Sequence, residues 1–192
     1  MSKLPTCCDD AAAAAAVAAT RRWLERAVIG LNLCPFAKAV HVKRQIRYAV
    51  TGATTAAELL AELRHELERL DQASPAIVDT TLLIHPGVMT DFIDFHFFLR
   101  DADAAVRHLG YEGRFQIASF HPGYEFAGSA ANDIENFTNR SPYPTLHLLR
   151  ESSIERAVAA FPDAATIYER NLDTLRRLGH AGWDRLWVSS PG

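Results

Sequence analysis

The order of hydrophobic patterns predicts an α/β fold, or an α+β one, with helices at both ends of the sheet-forming region. Three observations carry this. Short apolar runs of strand length alternate with longer stretches of helical period, so the chain reads helix, strand, helix, strand, helix, strand, long connection, strand, two helices. Alternation of that kind builds a sheet with some parallel strands. The fourth strand follows a loop rather than a helix, which leaves antiparallel pairing open to it and with that an α+β arrangement. Finally, 192 residues that are 48% hydrophobic and 22% charged suffice for one core without staples, and no composition break marks a second domain.

Residues 1–10 read as a disordered tail, and residues 11–192 as a single compact domain of three to four strands. From Ala11 to about Leu31, alanine propensity together with Val17, Trp23, Leu24, Val28 and Leu31 predicts the first helix. Pro35 ends or redirects it, and Phe36 to Ala39 opens a short turn of its own. Arg44 to Thr51 alternates as a strand with one solvated side. Thr55 and Glu58 match a capping box at the head of a helix that runs to about Leu70, with Leu59, Leu63 and Leu67 on its stripe. Thr80 to Ile84 is a buried strand. Thr90 and Asp91 can cap the next helix, whose first half is apolar nearly all round and is expected to be covered on several sides. Arg114 to Phe120 is the third strand and Thr145 to Leu149 the fourth. Ser152 and Glu155 match a second capping box, Pro162 restarts the chain into the last helix, and Gly179 ends it, with Trp183, Leu186 and Trp187 folding back.

The formal charge of −3 gives no basic field for nucleic acid. No window of about 18 apolar residues offers a membrane span. Three cysteines make no disulfide framework, and the first residues do not read as a signal peptide, so a cytoplasmic protein is expected.

Candidate chemistry gathers at the ends of two strands. Both Thr80–Ile84 and Arg114–Phe120 run into His-Pro, at His85 and His121, and parallel strands would deliver both imidazoles to one pole of the sheet. Two histidines on rigid strands could begin a metal site completed by Asp, Glu or Cys, with zinc or iron as the metal. They could equally act as an acid–base pair. The bland alternative is two strand-end histidines hydrogen-bonded to their loops. Cys34 is a candidate nucleophile or thiolate ligand, against the ordinary fate of a free cysteine as a small buried hydrophobe.

Between the third and fourth strands lies a long polar and aromatic loop. Long ordered loops in compact domains tend to be functional. Its Arg140 is suited to clamping a carboxylate or phosphate, and Asn136, Asn139 and Arg150 are the accompanying candidates for substrate binding. Asn and Asp also build turns for their own sake, so a purely architectural loop is the alternative. His147, flanked by Leu146 and Leu148, is expected in the core. No nucleotide-binding glycine motif occurs.

The strings Gly30-Leu-Asn-Leu-Cys34-Pro-Phe-Ala37, Thr81-Leu-Leu-Ile-His85-Pro86, Gln116-Ile-Ala-Ser-Phe-His121-Pro122 and Thr138-Asn-Arg-Ser-Pro-Tyr-Pro-Thr-Leu-His-Leu-Leu-Arg-Glu151 resemble a bacterial family known only as a domain of unknown function. The resemblance spans about Thr20 to Gly179 and implies a bacterial, single-domain, cytoplasmic protein. It brings no activity, cofactor or catalytic residue. The expectation is therefore an enzyme acting on a small anion through His85, His121, Arg140 and either Cys34 or a metal. The alternatives are a metal- or haem-binding sensor and a module that buries its aromatic loop against a protein partner.

Overall fold

The fourth strand of the sequence lies inside the sheet, and this placement decides the architecture. In the computed structural model, which describes residues 10–160 and 166–187, the strands are β1 (Ile46–Val50), β2 (Thr80–Ile84), β3 (Phe115–Phe120) and β4 (Thr145–Arg150). Their order across the sheet is β1-β2-β4-β3. β1 and β2 are parallel, whereas β4 runs antiparallel to both β2 and β3. The sheet is mixed and the fold is α+β. The long loop explains why: without a helical crossover, β4 returns directly alongside β3 and against its direction.

Among the described residues six α-helices surround the sheet: α1 (Asp10–Trp23), α2 (Ala37–Val42), α3 (Ala56–Gln72), α4 (Phe92–His108), α5 (Glu151–Ala159) and α6 (Ile167–Arg185). α1 continues through a wider π-helical turn over Leu24–Ile29. The expected tail and the Pro162 restart lie outside the described residues, apart from Asp10, which opens α1.

Side-chain alternation sorts the strands between two layers. Ala49, Leu83, Leu146, Leu148 and Phe115 point to one face, where α3 supplies Leu59, Leu63, Leu67 and Leu70 and α4 supplies Phe95, Phe98, Ala102 and Ala105. Burying each of the leucines and phenylalanines among them is worth about 2 kcal/mol. On the other face Trp23, Leu24, Val28, Leu33, Leu175 and Trp183 form a second cluster beneath α1 and α6, reaching Ile46, Tyr48 and Phe120 of the sheet.

Helix ends follow local chemistry in two cases and depart from it in a third. At α3 the Thr55 hydroxyl accepts from Glu58 N–H while the Glu58 carboxylate accepts from Thr55 N–H, a complete capping box. At α4 the Asp91 carboxylate accepts from Ile93 and Asp94 N–H. The box expected at Ser152 and Glu155 does not form. α5 begins two residues earlier, at Glu151 directly after β4, and has no side-chain cap. Gly179 (φ 61°, ψ 173°) ends the first helical segment of α6 at a kink, as expected, and a second segment follows it to Arg185. α4 is also less covered than expected: Ile93 and Phe97 are exposed, because only one stripe of the helix meets the sheet.

Candidate functional site

β2 and β3 point the same way with β4 between them, and Ile84 and Phe120 both pair with Thr145. His85 and His121 therefore leave the sheet at the same level and the same pole. Their backbones are tied to the returning loop, His85 N–H donating to Pro144 O at 3.1 Å and His121 N–H to Asn139 O at 3.1 Å. Following Ile84 and Phe120, both side chains fall on the α4 side, where the ring of Phe95 lies 5.6 Å from His85 and 5.1 Å from His121.

Each ring has structural work there. Gly123 N–H donates to His121 Nδ1 at 3.0 Å, so the ring proton is on Nε2, which donates to Met89 O at 3.1 Å. His85 Nδ1 donates to Val88 O at 3.0 Å, leaving a lone pair on a buried Nε2 with no partner. Burial is the main reason both are held below the ordinary histidine range, His85 to about 4. Both are neutral at pH 7. Together they pin the β2–α4 loop, in which Met89 takes a positive φ of 55°. Among the described residues no group of three or more His, Cys, Asp or Glu side chains is placed to hold a metal ion.

The long loop is built by its own amides. Asn136 is fully buried; its Oδ1 accepts from Phe126 N–H at 2.9 Å and from the Ser129 hydroxyl at 2.8 Å, and its Nδ2 donates to Ala130 O at 2.8 Å. Asn139 Nδ2 donates to Ser119 O at 3.3 Å. Arg140 donates from Nε to Tyr124 O and from Nη2 to Ala131 O, with its guanidinium over Phe137. Arg150 reaches the far end of α3, donating from Nη2 to Leu70 O, Ala73 O and Val78 O. Free carbonyls at a helix C-terminus attract such a cation.

Cys34 lies across the sheet from the two pole histidines. It lines a cleft of about 870 Å³ between α2, α5 and the open part of the sheet, as does one end of Arg150. The floor is Thr80 and Leu82 of β2, Ala118 of β3 and His147 and Leu149 of β4, while Val40 and Lys43 stand on one wall and Ile154 and Arg156 on the other. Burial raises the Cys34 thiol above its ordinary 9.0, against a smaller opposite pull from the N–H groups of Phe36 and Ala37.

His147 is desolvated and hydrogen-bonded, as expected of a strand histidine between two leucines, but period-two alternation turns it away from Leu146 and Leu148 and onto the cleft floor, a placement the flanking leucines did not announce. The Thr80 hydroxyl donates to Leu148 O at 2.6 Å and so accepts from His147 Nε2–H at 2.7 Å. That leaves Nδ1 as the lone-pair nitrogen, and it has no partner among the described residues. Burial holds this imidazole to a pKa of about 4, hence neutral. The signal was present in the alternation of Thr80, Leu82 and Ile84 against Leu149, His147 and Thr145.

Among the described residues no helix is long and apolar enough to cross a membrane. A family model described as a protein of unknown function (DUF1415) matches residues 15–185. No curated protein and no solved structure matches the chain.

Proposed function

The chain belongs to this DUF1415 family of unknown function, a membership that carries no activity with it, and from the geometry we propose that it binds a small organic molecule with an apolar body in the cleft over β2, β4 and β3. The observation that carries this reading is the neutral imidazole of His147, fixed at Nε2 by Thr80 with its Nδ1 lone pair free over an apolar floor. A concave, mostly apolar surface with a few fixed polar groups is the general form of small-molecule sites.

The polar end of the ligand follows from the same atoms. A hydroxyl, an amide N–H or a protonated acid would donate to Nδ1. Lys43, Arg150 and Arg156 line the cleft together with a single carboxylate, Asp79, which already accepts from the Ser153 hydroxyl at 2.6 Å. The balance favours an acidic substituent there.

Cys34 supports a second reading, an enzyme that uses the thiol as nucleophile on a small anionic substrate. Its place in the same cleft favours that idea, but its electrostatics do not. Burial keeps the thiol protonated at neutral pH, and an imidazole with a pKa of about 4 is a poor acceptor for that proton. Binding requires neither group to ionise, so it is the reading we prefer.

Fluorescence titration with 8-anilinonaphthalene-1-sulfonate, displaced by decanoate and by decanol, tests it. Ala118→Phe places a ring on the cleft floor and should weaken the probe at least tenfold while the far-ultraviolet circular dichroism stays unchanged. Equal binding by the folded variant would remove the proposal.

A further inference from the structure

The chain has three tryptophans, and all three line one hollow: Trp23 at the end of α1, Trp183 on the segment of α6 that follows Gly179, and Trp187 in the turn just beyond that helix. The hollow measures about 450 Å³ and shares only Trp23 with the lining of the cleft above. Phe137 completes the aromatic wall, its ring 5.0 Å from Trp183 at 75°, and Trp183 lies 5.6 Å from Trp187 at 68°.

Two guanidiniums border this hollow, those of Arg22 and Arg140, and no Asp or Glu is among its lining residues. Arg140 is held in place before any ligand arrives. Its Nε and Nη2 are bonded to Tyr124 O and Ala131 O, and its plane sits 4.3 Å over Phe137, while Nη1 has no partner among the described residues. The carboxylate that acts on it, Glu125, lies outside the lining, and burial outweighs that carboxylate's effect. Arg22 is exposed on α1 and makes no ion pair among the described residues. A fixed guanidinium that is partly stripped of water and has no carboxylate in ion-pair contact favours an incoming anion, and a pre-placed side chain loses little entropy on binding. Aromatic walls accept a flat ring edge-on or offset.

We propose that this hollow is a second binding site, for a small planar aromatic anion whose ring lies among Trp23, Trp183 and Trp187 and whose charged group meets Arg22 and Arg140. Carboxylate and phosphate ester share the required chemistry. The volume suits one or two fused rings.

Because every tryptophan of the chain is at the site, intrinsic fluorescence reports on it directly, with calorimetry as the second readout. Benzoate and adenosine 5′-monophosphate are the two charged probes; benzamide and inorganic phosphate are the controls for ring without charge and charge without ring. Saturable binding of benzoate, of the nucleotide or of both is expected, the pattern identifying carboxylate or phosphate ester as the preferred group. Both controls should bind at least tenfold more weakly. Arg22→Gln should weaken the charged probe at least tenfold with an unchanged thermal transition, and Ala118→Phe, which fills the other cleft, should leave it unaltered. The proposal is overturned by benzamide binding as well as benzoate, by inorganic phosphate binding as well as either charged probe, by binding that survives Arg22→Gln or is lost in Ala118→Phe, or by no saturable response.

Discussion

His85 and His121 stand at the same level of the sheet, each tied by its ring to the β2–α4 loop and packed against Phe95, with one lone pair, on His85 Nε2, left without a partner. His147, on the opposite face, is neutral for the same reason. Three imidazoles kept uncharged by burial make the fold sensitive to acid in a definite direction.

His85 and His147 are held at about 4, below the ordinary 6.5, and His121 is lowered as well. Between pH 6.5 and 4 the unfolded chain takes up protons that the folded chain refuses. Stability is therefore fully present above pH 6.5 and is lost as pH falls toward 4. His85, wholly buried, accounts for about 3 kcal/mol of that loss. His147, half-buried, accounts for less. Urea midpoints measured from pH 7.5 to 4.5 should drop continuously over this window, and His147→Gln should make the drop shallower. A midpoint that stays level down to pH 4.5 would contradict the burial of these rings.

A buried ion pair gives a second prediction. Arg47 on β1 holds Glu66 of α3 with two bonds, Nε at 2.7 Å and Nη2 at 3.0 Å, and the Glu66 side chain is 5% exposed against 33% for Arg47. Removing one partner hurts most when the charge left behind cannot reach water. Arg47→Met strands the carboxylate with only Arg69 at 3.6 Å and should cost about 3 kcal/mol. Glu66→Gln leaves an arginine that can turn outward and should cost about 1 kcal/mol. Chemical denaturation of the two variants at pH 7 decides the order; equal losses would show that burial does not govern the pair.

Much of this architecture could be read from the residues, and the exceptions have physical causes. Leu59, Leu63 and Leu67 announced the buried stripe of α3, and Thr55 with Glu58 announced its start, because both signals are local. Ser152 and Glu155 offered the same pattern, yet β4 runs straight into α5, and strand pairing set where that helix begins. The common pole of His85 and His121 was legible from the twin His-Pro endings, although β4 lies between the two strands instead of the strands being neighbours. That Cys34 and His147 share a cleft on the other face depends on which helices cover which side, and no local motif encodes that. Trp183 and Trp187 were expected to fold back; that they meet Trp23 and two arginines was not visible.

Asn136 should prove the keystone of the 121–141 loop. Its amide makes three bonds, to Phe126 N–H, Ser129 Oγ and Ala130 O, from a fully buried position. Asn136→Ala leaves Phe126 N–H and Ala130 O without these partners, while Ser129 Oγ keeps its bond to Phe126 O, and should cost about 2 kcal/mol. Since Arg140 bonds to Tyr124 O and Ala131 O in the same loop, the loss should appear locally. Hydrogen exchange at residues 123–140 should quicken while α3 and β2 keep their protection. Uniform quickening across the molecule would mean that the loop is no separate unit.

Cys34 allows the cleft and its chemistry to be probed together. The thiol is raised above 9.0 by burial, so its thiolate is scarce at pH 7 and grows only as pH passes that value. In a chain carrying Cys7→Ser and Cys8→Ser, iodoacetamide labelling at Cys34 should be slow at pH 7, quicken steadily toward pH 10, and slow again when decanoate occupies the cleft. The pH dependence and the protection come from different features, the first from desolvation of the sulfur and the second from its position on the cleft wall. Fast labelling at pH 7 that does not vary with pH would instead mean a stabilised thiolate. That outcome would favour the nucleophile reading over binding, because the neutral pair of Cys34 and His147 is what sets the two apart.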